Sequence, residues 1–238
     1  METHLFTFLS FFLATYLFAH FVVFRKWSPD TRPEASSCFI SLLHGTPAVL
    51  LAAAAILSAP SPSLAAANTA FQSLVLDYSA AYFLADLLHL FSAAATVDPA
   101  FVLHHLATLF VLLTCRHVAA HGAVAVLSLL ALAEATSAVQ NTWALSRARR
   151  SDAPAAARLC DAVTVPFYAA YTVVRGVLGP CVVLRMARFY WSGGGEGVIR
   201  TWVWVSWVVV VSIAIVGSVV WVSILWVEVY RERWRKVR

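Results

Sequence analysis

Long apolar runs alternate with short polar connections along the whole chain. The first run covers Leu5 to Phe24, the second Cys38 to Leu57 and the third Phe71 to Ala95. The fourth covers Phe101 to Cys115, the fifth Ala123 to Leu145, the sixth Leu159 to Leu184 and the seventh Thr201 to Val227. A helix that crosses a bilayer needs about 20 apolar residues, whereas a barrel strand needs about 10 in strict alternation. The runs therefore predict helices. Turn-forming residues separate them: Ser58-Ala-Pro-Ser-Pro-Ser63 closes the second, and Gly193-Gly-Gly195 precedes the seventh. A break at Thr96-Val-Asp-Pro99 precedes the fourth, with Pro99 suited to a helix start. The sixth run contains Pro166 and Gly179-Pro180, so a kink or an early end is expected there.

Composition removes the soluble alternative. The 238 residues are 61% hydrophobic and 12% charged, with a mean hydropathy of +0.78, against about a quarter charged in soluble domains. The expected fold is an all-α integral membrane protein of about seven transmembrane helices. Residues 1–35 read as an N-terminal anchor helix and loop, 36–230 as a six-helix transmembrane domain, and 231–238 as a basic tail. The first run lacks a positive leader and a small-residue cleavage pattern, so it is expected to be retained.

The net charge of +5 lies between the runs and in the tail. That is where membrane proteins keep cytosolic anchors, and no nucleic-acid partner is expected. With the N-terminus outside, twelve Lys and Arg fall on inside segments, from Arg25 to the tail. Four (Arg116, Arg185, Arg188 and Arg200) fall on outside segments, and Arg175 lies within a run. This asymmetry predicts a lumenal N-terminus and a cytosolic C-terminus. Cys38, Cys115, Cys160 and Cys181 have no CxxC spacing, which supports neither a zinc site nor a disulfide framework. No metal site is expected. His117-Val-Ala-Ala-His121 has HxxxH spacing, but HxxHH is absent and the topology places it outside.

Ionisable groups inside spans are costly and usually face the bundle interior, often with a function. Placed by depth at ~1.5 Å per residue, His44, Asp86, His89, His104, His105 and Asn141 fall in the cytosolic half, with Glu134 two turns deeper than Asn141. Tyr82, Asp86 and His89 share one face of the third helix, and His104 and Thr108 one face of the fourth, with His105 rotated about 100° away. Glu134 and Asn141 share a face of the fifth, and Arg175 ends a stripe with Tyr168 and Tyr171 on the sixth. Two imidazoles beside a carboxylate suit general acid–base or acyl-transfer chemistry, making His104, His105, Asp86 and His89 the catalytic candidates. His44, Tyr82, Thr108, Glu134, Asn141 and Arg175 are the candidates for a lipid-binding cavity. A pairing of Glu134 with Arg175 is an open structural alternative.

Four blocks, in this order, resemble the TLC-domain family: Cys38-Phe-Ile-Ser-Leu-Leu-His44-Gly, Asp86-Leu-Leu-His89, His104-His105-Leu-Ala-Thr108, and Glu134-Ala-Thr-Ser-Ala-Val-Gln-Asn141-Thr-Trp143. The chain is most similar to its small, plant-like branch. The resemblance implies a TLC-type ring of six helices around a lipid-accessible cavity, in the endoplasmic reticulum or another endomembrane. It implies handling of a sphingolipid, fatty acyl chain or phospholipid, with an effect on membrane lipid homeostasis and no cofactor. Self-association is left open. The family's ceramide synthases transfer an acyl group from acyl-CoA with paired histidines, which would be His104 and His105; acyl-CoA would then be a substrate. Their acidic motif further along is replaced here by Leu127-Ser-Leu-Leu-Ala-Leu-Ala133. That departure favours lipid handling, with membrane acyltransferase as the alternative.

Overall fold

A computed structural model describes residues 4–94 and 98–237, with side chains as far as Arg231. The break at Thr96-Val97 and the cationic side chains beyond Arg231 lie outside the described residues. Seven helices are long and apolar enough to cross a membrane, as the runs predict. They are α1 (Leu5–Val23), α2 (Arg32–Leu57), α3 (Ala70–Ser92), α4 (Pro99–Ala119), α5 (Ala123–Ala148) and α6 (Pro154–Trp191), then α7 (Thr201–Val237). Seven crossings put the two termini at opposite faces, here named the N-terminal and C-terminal faces.

Local chemistry sets several boundaries. Thr69 and Gln72 form a reciprocal capping box at the start of α3. Asp98 accepts a bond from the Ala100 N–H at 2.9 Å, and Pro99 follows at the first helical position, where its missing N–H is harmless. Pro47 sits inside α2, so the carbonyl of Leu43 loses its helical donor. Tyr78 of α3 supplies the replacement, donating to that carbonyl at 2.8 Å. Gly122 turns the chain between α4 and α5 at a φ of +90°, a conformation that favours glycine. The sixth run neither stops nor splits at Gly179-Pro180. It continues to Trp191 through a π turn at Val174–Leu178, which widens the helix just before the residue that cannot donate.

Helix packing closes a ring. α2 packs on α3, α3 on α4, α4 on α7, α7 on α6, α6 on α5, and α5 back on α2. α1 lies outside, against α2 and α3. α3 also touches α5 across the middle, so the ring is pinched into a tight side under α2 and a looser side bounded by α4, α6 and α7. At the N-terminal face, Tyr190 donates to the Leu64 carbonyl at 2.7 Å, and Asn68 bonds the Cys115 carbonyl and the Ala123 N–H, both at 2.9 Å. These bonds draw the connection between α2 and α3 over that face.

Arg116 is not a connection residue, as its place in the run pattern suggested. It is buried in the last turn of α4, where its Nε lies 3.0 Å and its Nη2 3.3 Å from the two carboxylate oxygens of Asp77. In a low-dielectric interior, a charge at this depth is held by such a fork. Removing it from the outside tally deepens the charge asymmetry.

Candidate functional site

The tight side of the ring holds His44. Its ring is fully buried and stacks on Tyr82 at 4.0 Å between centroids and 9° between planes. Nε2 shares a hydrogen bond with Ser79 Oγ at 3.1 Å, and Nδ1 lies 3.8 Å from Glu134 Oε2. Gly45 beside it permits the crossing of α2 over α5, because a Cβ there would stand 2.6 Å from Ser137. Asn141 completes that seam by donating to Ser41 Oγ at 2.8 Å and to the Ser137 carbonyl at 2.9 Å. His44, Tyr82 and Asn141 are thus packed between helices.

The two adjacent histidines part company. His105 Nδ1 donates to the Phe101 carbonyl at 2.9 Å, while Nε2 lies 2.8 Å from Asp86 Oδ2. The second contact is a bent ion-pair approach rather than an aligned hydrogen bond. Ser37 donates to the other oxygen of Asp86 at 2.5 Å. Both nitrogens of His105 are therefore engaged. His104 points elsewhere, into a cavity of about 100 Å³ on the loose side of the ring. His89 faces α1, where the Tyr16 hydroxyl meets its Nδ1 at 3.0 Å.

The cavity is bordered by α3 to α7 and walled mainly by Leu, Val and Ala. Its polar lining consists of His104, Thr108, Glu134 and Arg175. Glu134 and Arg175 share this space without forming a salt bridge. Arg175 instead donates to the Ala133 carbonyl at 2.9 Å and lies over the Tyr171 ring at 5.3 Å. Arg175, carried on the π turn, thus reaches the cavity while keeping its contact with Tyr171, whereas Tyr168 packs against Trp143 and Trp226. Of the residues singled out from sequence, four therefore gather at the cavity, while Asp86 and His105 form a buried pair beside it.

Several partners had no counterpart in the sequence reading. Ser37, Ser79 and Tyr16 complete the contacts of Asp86, His44 and His89, yet serine and tyrosine in a span carry no distinguishing signal. The Asp77–Arg116 pair did have one: both lie near the N-terminal face of neighbouring helices, and depth matching applied to that half would have joined them. His117 and His121 lie at that same face, with His121 Nδ1 bonded to the Ala119 carbonyl at 2.9 Å.

Comparison with known proteins agrees with this architecture. Residues 34–227 match the TLC domain. A TLC domain-containing protein of Arabidopsis thaliana is 53% identical over 201 residues, which is 84% of this chain and 79% of that protein. No solved structure matches the chain. The seven apolar helices fit a multi-pass membrane protein, and the chain belongs to the TLC-domain family.

Proposed function

We propose that the protein takes the hydrocarbon part of a membrane lipid into the cavity among α3 to α7 and thereby influences the lipid composition of an endomembrane such as the endoplasmic reticulum. The carrying observation is the cavity itself: largely apolar walls that also carry His104, Thr108, Glu134 and Arg175. Its Leu, Val and Ala walls suit hydrocarbon. The polar residues suit an ester, amide or hydroxyl group at the end of the chain. The proposed orientation places the N-terminus in the lumen and the tail in the cytosol.

The acyltransferase reading draws on one feature, the freedom of His104 beside an anchored His105. In that reading His104 is the general base toward an acyl-CoA thioester's acceptor, and His105 with Asp86 positions it. One experiment addresses both readings. Cells expressing the wild type, Ala107→Phe or His104→Ala are fed a photoactivatable fatty acid, then analysed for cross-linking and total lipids. Filling the cavity at Ala107 should reduce cross-linking several-fold; equal labelling would sink lipid occupancy. An unchanged lipid profile in His104→Ala, with normal expression, would remove the acyltransferase reading.

A further inference from the structure

A second cleft, of about 370 Å³, opens at the C-terminal face, far above the ~10–15 Å³ that one water requires. α5 and the connection after it contribute Trp143, Arg147 and Arg150; α6 contributes Thr164 and Tyr168; α7 contributes Glu228. Trp143 is fixed by donating from Nε1 to Thr164 Oγ1 at 3.2 Å, and the Arg147 guanidinium lies over its ring at 4.9 Å. Stacked in this way, a guanidinium keeps its edge donors available. Among the described residues, Arg147 has no carboxylate partner and Glu228 no cationic one. Arg150 pairs with Asp161 at 2.8 Å, but both are well exposed, and such surface pairs are weak.

The cleft thus presents two guanidinium groups from α5 and the connection after it, a carboxylate from α7, and aromatic rings between them. A simple anion would meet Glu228, and a simple cation would meet both arginines. A ligand carrying both charges satisfies the whole lining. We propose that this cleft binds a zwitterionic phospholipid headgroup, with the phosphate at Arg147 and Arg150 and the ammonium at Glu228. Its position at the ends of three spans is the depth at which headgroups lie, and aromatic residues are enriched there. Arginine's fork matches phosphate oxygens, while the Glu228 carboxylate complements an ammonium.

The test uses the full chain in phosphatidylglycerol nanodiscs doped with phosphatidylethanolamine or phosphatidic acid, with retained lipid read by native mass spectrometry. The wild type should retain phosphatidylethanolamine in preference to phosphatidic acid. Arg147→Gln should lower that retention about tenfold, the equivalent of one charge-assisted contact at 1.4 kcal/mol, while Arg185→Gln at the opposite face should not. Glu228→Gln should abolish the preference. Equal retention of the two lipids by the wild type, or undiminished phosphatidylethanolamine in Arg147→Gln, overturns the proposal. Displacement by millimolar inorganic phosphate alone would make this an ordinary anion site and also overturn it. In an Ala107→Phe background, which fills the other cavity, Arg147→Gln should still lower phosphatidylethanolamine retention; no effect of Arg147→Gln there would place the lipid in that cavity and overturn the proposal.

Discussion

His104 and His105 are neighbours with different occupations, and the difference follows from helical rotation. At about 100° per residue, one ring turns toward α3 and meets Asp86, while the other turns toward the cavity. Replacing His105 by Ala leaves a buried carboxylate without its principal partner, a change that typically costs ~3–5 kcal/mol. His105→Ala should therefore lower the melting temperature of the detergent-solubilised protein substantially, and His104→Ala should leave it nearly unchanged. Equal losses would mean that His104 also holds the bundle together. The sequence identified the pair and the approximate depth of Asp86, because ionisable residues stand out in an apolar run. It could not divide the roles, because that depends on which neighbour each ring meets.

At the level of helices, small residues decide how closely two elements approach. Gly45 and Gly217 are both helical glycines, and in isolation Ala at either position would favour the helix by up to ~1 kcal/mol. Their surroundings give the same substitution opposite signs. A Cβ at Gly45 would collide with Ser137 across the α2–α5 seam, whereas one at Gly217 meets nothing within 4 Å. Gly45→Ala should destabilise by ~1–3 kcal/mol as the seam is forced apart, while Gly217→Ala should be neutral or stabilising. Thermal unfolding of the two variants side by side checks this, and a shared sign would refute it. Helix positions were legible from the runs because lipid demands unbroken apolar length. The continuity of α6 was not, since a proline after a glycine signals a break, and only packing against α5 and α7 decides that a π turn absorbs it.

The whole molecule combines many exposed apolar side chains with cations concentrated toward one end. Among the described residues, the Lys and Arg of the connections at 24–31 and 149–153 and Arg231 at the end of the last span share the C-terminal face. The positive-inside tendency then predicts that a tag on the C-terminus is digested by protease added to intact microsomes, while an N-terminal tag is protected. The reverse pattern would invert the proposed orientation. Ring closure was an implication of family resemblance, not of periodicity, which says nothing about which helices are neighbours. Nor did periodicity foretell the α3–α5 contact that divides the interior.

The cover over the N-terminal face has a directional consequence. Leu64 and Ala65 are buried there, Tyr190 and Asn68 tether their segment, and Trp207 is locked to Thr114 by a bond of 2.8 Å. With that end covered, a lipid taken up as proposed would find no passage through the N-terminal face and would have to enter and leave elsewhere. On the proposed function, exchange would then favour the leaflet away from that face, and any influence on lipids would be felt first as a difference between the two sides of the membrane.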